Sequence, residues 1–248
     1  MPLRIVLLFA LLFLPLSGQG EYGRTLTLVA TDLPPFYSDT LVDKGPVAHL
    51  VMQALARRGY RVELKFYPFI RATALIKAGK ADAIIGLWYR REREAWAEYS
   101  APLQSVEIGF LARKDAQIAF AELGELKGRL IGISRGYANP PAIAANGLRT
   151  EEADSDETNL RKLLLGRVDM IVISRHVATY LIEHGSAEYR GQFEFVGDVL
   201  ATEVFHLGVA KNRDAPELLV KDFNQAIEEM QKDGSMAAIL SKLTTELN

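Results

Sequence analysis

The sequence predicts an α/β protein, and its internal pattern points to two lobes rather than one. Strand-like and helix-like segments alternate along most of the chain, the order that builds largely parallel sheets covered by helices. A helix–Gly–basic–apolar–Asp–strand sequence occurs twice, at 75–85 (LIKAGKADAII) and 163–172 (LLLGRVDMIV). This is either a chance recurrence of a common helix-to-strand device or the mark of two similarly built lobes, each with its own sheet. No low-complexity stretch or long linker divides the chain, so lobes, if present, are crossed directly.

Taken in order, the chain opens with Arg4, a Leu/Phe-rich apolar run over 5–16 broken only by Pro15, and the small residues Ser17, Gly18 and Gly20. That is the layout of a secretory signal over residues 1–20, cut after Gly18 or Gly20. The run is about twelve residues, short of the roughly 20 that a spanning helix needs. Gln19 stands where a lipoprotein carries its lipid-bearing Cys. The sequence has no Cys, which excludes a Cys-linked lipid, disulfides and thiolate metal ligands. The expected product is a periplasmic protein with no lipid anchor, a monomer large enough to bury a core.

Residues 25–31 (TLTLVAT) read as a strand and 32–36 (DLPPF) as the loop leaving it. Val47, Leu50, Val51, Ala54 and Leu55 follow helical spacing up to Gly59. Tyr60, Val62, Leu64 and Phe66 alternate with charged residues as in a strand with one covered face. A helix over 70–78, the strand at 83–85 and an apolar strand at 106–112 complete the first half. A second α/β run starts at Leu130, passes through a helix at 157–165 and a strand at 170–173, and ends with a strand at 205–210. The last long helix, with Asp214 and Glu217 as a capping box, carries Leu219, Phe223, Ile227 and Met230 on one face.

Charge and motifs exclude several functions. The formal net charge of −2 offers no basic excess for phosphates, so no nucleic-acid partner is expected. The four His residues make no metal pattern, and no Walker loop or G-x-G-x-x-G occurs, so neither metal nor cofactor is expected. Gly132-Ile133-Ser134-Arg135-Gly136 fits the G-x-S-x-G nucleophile elbow, with Asp169 and His206 downstream in triad order. Against a hydrolase, no HGG-type oxyanion loop lies upstream, and Pro140 and Pro141 restrict the helix that should follow the elbow. The densest polar constellation is 88–102 (WYRREREAWAEYSAP), which places aromatics and arginines where a strand ends at Gly86. In open α/β sheets ligands bind at the strands' carboxyl edge, and an Arg fork there suits a planar carboxylate. The competing account is a solvated helix start in which Arg90, Arg91 and Arg93 pair with Glu92, Glu94 and Glu98.

In order, the chain carries DLPPF (32–36), GKADAIIG (79–86), RER (91–93) to YSAP (99–102), LKG (126–128), IGI (131–133) to Gly136, GRVD (166–169), LGVAK (207–211) and Gly234. With that series the sequence resembles the family 3 extracellular solute-binding proteins, the polar amino acid receptors of ABC importers. The resemblance implies a type II periplasmic-binding-protein architecture, two doubly wound lobes joined by two crossovers. Lobe 1 would be 21–112 plus 204–248 and lobe 2 would be 113–203. It implies that a small polar ligand, a carboxylate, is captured by lobe closure and handed to a membrane ABC permease. By the same resemblance Arg93 grips the ligand's carboxylate, and Phe69 sandwiches its side chain. Gly86 and Trp88 present strand-exit groups, and Tyr137 and Ala138 add backbone N–H donors from the second lobe.

Two departures stand out. Leu33 replaces a stacking Tyr, which leaves Phe36 or Tyr37 to supply a ring. Ser174 stands where the resemblance calls for an ammonium-binding Asp, so Asp32, Glu107 or Glu203 supplies that charge or the ligand is not a standard α-amino acid. Arg71 is a further cation on the helix that starts near Phe69. Two other roles fit the same scaffold: a periplasmic enzyme resembling dehydratases of small carboxylic acids, and a receptor that presents ligand to a sensor kinase.

Overall fold

The computed structural model describes residues 23–245, so the expected signal segment over 1–20 lies outside the described residues. The first parallel unit consists of β1 (Thr25–Ala30), β2 (Arg61–Phe66) and β3 (Ala83–Trp88), in the order β2-β1-β3. Helices α1 (Pro46–Arg57) and α2 (Phe69–Lys77) make the crossovers. β2 is the edge strand. Its alternation of exposed and half-buried residues matches the period-2 pattern in the sequence.

Two strands follow that pair antiparallel with the returning chain. The short β4 (Ala97–Tyr99) precedes β5 (Gln104–Arg113). The second parallel unit consists of β6 (Leu130–Ser134), β7 (Arg149–Ala153) and β8 (Met170–Ser174), in the order β7-β6-β8. Its helices are α3 (Pro141–Ala145), α4 (Asp156–Leu164) and α5 (Arg175–His184). The chain returns through β9 (Phe193–Ala210), an 18-residue strand. β9 pairs with β3 near its end and with β5 along most of its length. From Ile108 onward β5 also pairs with β8, so this strand belongs to the ladder of the second unit there.

The two units repeat one another to the level of single hydrogen bonds. Gly79 and Gly166 end α2 and α4 with φ of 66° and 65°. Both close a 6→1 bond, from Lys80 N–H to Leu75 O and from Arg167 N–H to Lys162 O, each 2.9 Å. Three residues after each glycine an aspartate clasps the unit's first strand. Asp82 accepts from Thr27 N–H at 2.8 Å and Asp169 from Leu130 N–H at 2.7 Å. The repeated Gly-basic-apolar-Asp sequence therefore marks two lobes of one design.

α6 (Pro216–Lys232) buries Leu219, Phe223, Ile227 and Met230 as its spacing predicts. It begins later than the expected capping box, because Pro216 takes the first helical position behind Ala215 and no side chain caps it. α7 (Ser235–Leu240) and α8 (Lys242–Thr245) complete the first lobe. Among the described residues no helix is long and apolar enough to cross a membrane.

Candidate ligand-binding site

Two small adjoining cavities lie between the lobes, and Leu33, Trp88 and Tyr137 line both. They sit at the carboxyl ends of β1, β3, β6 and β8, where loops diverge and leave a crevice. After β1 the chain folds back, with Leu33 N–H donating to Tyr37 O at 2.8 Å, which buries Tyr37 beside β3. A Cβ at Gly86 would meet the Tyr37 hydroxyl oxygen at 2.0 Å, and Gly86 has φ of +78°. Only glycine satisfies both constraints. Burial pushes the Tyr37 phenol far up from its ordinary pKa, so it stays protonated as a donor.

A short 3-10 turn (Arg91–Ala95) follows β3 and turns Arg93 inward, leaving it 9% exposed. Its guanidinium lies 5.1 Å over the Phe69 ring. One Nη donates to Trp88 O at 3.0 Å and the other reaches Gly136 O of the second lobe at 3.4 Å. Among the described residues no carboxylate pairs with Arg93. Burial lowers its pKa from the ordinary value, the direction expected of a cation with too little to balance it. Arg90 differs. Its two Nη atoms meet the two Glu203 oxygens at 2.7 and 2.9 Å, and one also donates to Ala138 O across the cleft at 2.8 Å.

The second cavity carries the acid. Asp156, the first residue of α4, lines it with Asn139 and Ser174. The Ser134 hydroxyl donates to Asp156 at 2.5 Å, and Asn159 donates to the same hydroxyl at 3.4 Å. Burial raises the Asp156 carboxyl to about 6, the Ser134 bond opposing the rise. The buried Ser174 hydroxyl and Trp88 Nε1–H have no hydrogen-bond partner. Two unused polar groups thus border the space occupied by one carboxylate. The lobes touch through Tyr137, which meets Phe69 and Trp88 with ring centroids 5.5 and 6.1 Å apart.

Residues 28–246 match the bacterial extracellular solute-binding proteins, family 3. The chain belongs to that family. It is similar to the L-cystine-binding protein TcyJ of Escherichia coli K12, with 26% identity over 232 residues, covering 92% of this chain and 85% of the relative. It is also similar to the probable amino-acid-binding protein YxeM of Bacillus subtilis, with 23% identity over 202 residues, covering 79% and 74%. Among solved structures, a histidine kinase sensor domain similar to periplasmic binding proteins superposes with a TM-score of 0.78 at 21% identity, covering 88% of this chain and 95% of that one. An ancestral arginine-binding protein bound to arginine gives 0.76 at 24%, covering 88% and 97%. The fold is that of type II periplasmic binding proteins. This solute-binding protein thus belongs to a family of bacterial extracellular binding proteins, not a catalytic one.

In this solute-binding protein Phe69, Gly86, Trp88, Arg93, Tyr137 and Ala138 come together around the first cavity, and Ser174 borders the second. Asp32, Phe36 and Arg71 lie outside both linings. Asp32 is exposed and accepts from Asp39 N–H, which turns its carboxylate along its own loop. Phe36 points beneath the cleft, edge-on to Phe205 and tilted against His176, while its neighbour Tyr37 faces the cavity. Arg71 is exposed, 4.7 Å over the Tyr67 ring. The other two acids considered for the ammonium are also elsewhere: Glu107 is exposed near Arg175 and Glu203 is held by Arg90. Sequence reasoning missed Thr31, Phe205 and Asp156, and Asp156 reads locally as an ordinary acidic helix start behind the Ser155 cap.

The elbow serine takes part in no relay. Ser134 bonds to Asp156, Asp169 clasps Leu130, and His206 Nδ1 meets Ser100 O at 2.7 Å. Those are three separate networks.

Proposed function

We infer that this protein captures a small carboxylate-bearing polar solute, an amino acid or a close relative, between its lobes and delivers it to a membrane ABC permease. The single observation that carries this reading is Arg93, a buried guanidinium that meets no carboxylate among the described residues, facing a cavity walled by aromatic rings. A ligand carboxylate supplies the missing partner through charge-assisted hydrogen bonds. The rings of Phe69, Trp88, Tyr137 and Phe205 then cover the apolar part of the ligand. The names of the curated relatives, which refer to L-cystine and to amino acids, support the ligand class.

Closure is a rotation about β5 and β9. Their ladder shifts register between Ile108 and Phe110, and residues 197–200 of β9 fall between the paired stretches. Residues 111–113, by contrast, are paired without interruption. We place the hinge near 107–109 and 197–201, where that ladder is interrupted. A ligand that touches both lobes favours the closed form by its differential affinity for it. The leader over 1–20 is removed, and the mature monomer has no Cys through which to hold a lipid.

A thermal-shift panel of amino acids and small carboxylates tests the reading. Neutral amino acids raise the melting temperature, because binding to the folded state stabilises it as RT ln(1 + [L]/Kd). Lysine and arginine do so least, since the linings carry one cation, Arg93, and one carboxylate, Asp156, and leave a second ligand cation unmatched. A panel in which only basic or uncharged non-carboxylate solutes bind contradicts the reading.

A further inference from the structure

Three consecutive residues on the loop that leaves β6, Gly136, Tyr137 and Ala138, are each held by a group of the first lobe. Gly136 O accepts from Arg93 at 3.4 Å. Ala138 O accepts from Arg90 at 2.8 Å, and Glu203 fixes that arginine in turn. Between these two carbonyls the Tyr137 ring stands edge-on to both Phe69 and Trp88. Burial pushes its phenol well above the ordinary pKa, and a side-chain hydrogen bond with Thr31 of the first lobe opposes the rise. The loop is seated at backbone distance, since a Cβ at Gly136 would come within 2.9 Å of the Ile70 side chain. Tyr137 borders both cavities, and each has room for no more than about one or two waters. An amino acid is several times larger and cannot enter while the ring stays.

We propose that residues 136–138 are an internal occupant of the cleft, with the Gly136 carbonyl on Arg93 and the Tyr137 ring in the aromatic pocket, and that a solute enters only as this segment withdraws. This rests on the reading of the cleft as the ligand site. It goes beyond that reading by making capture a competition between the solute and a segment of the protein. The segment is built to lose. A neutral carbonyl at 3.4 Å satisfies a guanidinium less well than a carboxylate does, so a carboxylate displaces it. Until then the fraction of molecules with a free cleft scales down the apparent affinity, and the association rate falls with it.

The test compares the native protein with Tyr137→Ala, which removes the ring, and with Tyr137→Phe and Thr31→Val, which remove only the hydroxyl contact. Without solute, small-angle scattering shows a larger radius of gyration for Tyr137→Ala than for the native protein. Stopped-flow fluorescence then reads association, with L-cystine and each standard L-amino acid as probe. Removing the ring raises the association rate constant about tenfold or more, which puts the free-cleft fraction of the native protein at about a tenth or below. Contacts that the ring makes with a bound solute read in the dissociation rate instead. Tyr137→Phe and Thr31→Val give smaller rises, equal to one another. An unchanged radius of gyration in Tyr137→Ala, or an association rate constant that is unchanged or lower, overturns the proposal and leaves the ligand reading standing. Where Tyr137→Ala does not fold, the two hydroxyl variants decide, and unchanged association in both overturns it. Failure of every probe to bind the native protein and the variants alike overturns the ligand reading itself, and this proposal with it.

Discussion

Arg90 and Arg93 stand three residues apart, yet Glu203 holds the first with both oxygens while the second faces the cleft without a carboxylate. The division assigns them different work. Arg90 ties the crossing strand β9 to the first lobe and, through Ala138 O, to the second lobe. Arg93 is the cation left for a ligand.

The first prediction tests the tie. Glu203→Gln removes a charge whose partner is largely buried, so unfolding in urea should show a loss of about 1–3 kcal/mol, the range for stranding a buried charged group. Small-angle scattering should also show a more open ligand-free form. An unchanged midpoint with unchanged dimensions would mean that the pair contributes nothing to closure.

Asp156 gives the second. Its folded carboxyl is raised to about 6, against about 3.9 for an unfolded Asp, so between those values the native state binds more protons than the unfolded state. Stability of the ligand-free protein from this group is therefore full below about pH 4, falls as the pH rises toward 6, and is level above that, the total drop being at most about 3 kcal/mol. The exposed Asp233, lowered to about 2, acts in the opposite direction below pH 4, outside this window. Thermal melts from pH 4 to 7 should slope less in Asp156→Asn than in the native protein. Parallel curves would contradict the assignment.

Gly86 gives the third. Gly86→Ala meets both a left-handed backbone and the Tyr37 ring, whereas Gly128→Ala meets only the backbone, with φ of +97° and nothing within 4 Å. The first should destabilise by about 1–3 kcal/mol more than the second, the usual effect of overpacking. Equal losses would show that Tyr37 yields freely.

Much of this was legible in the chain because the informative signals are local. The alternation at β2 survives because an edge strand has one covered face, and the two Gly-basic-apolar-Asp segments write the lobes' shared design directly. β7 was not legible. Four of its five residues are exposed, so Arg149, Thr150, Glu151 and Glu152 show no apolar period. The first half of β9 was hidden for the same reason, with Glu194, Gly197 and Asp198 exposed where β9 lies at the outer edge beside β5. At the site, the arginine-rich turn pointed to Arg93 because the resemblance fixes it by motif. The ring and the acid needed three-dimensional facts. The Leu33–Tyr37 turn decides that Tyr37 rather than Phe36 reaches the cavity, and strand order decides that Asp156 meets Ser174.

The central claim is that Arg93 grips the ligand's carboxylate, and the direct measurement is titration calorimetry of Arg93→Lys with the best ligand from the panel. Lysine keeps the charge but loses the planar fork, so affinity should fall by about 1.5–3 kcal/mol, the worth of hydrogen bonds to a charged group, while the melting temperature of the ligand-free protein changes little. Unchanged affinity would remove Arg93 from the site and contradict the account.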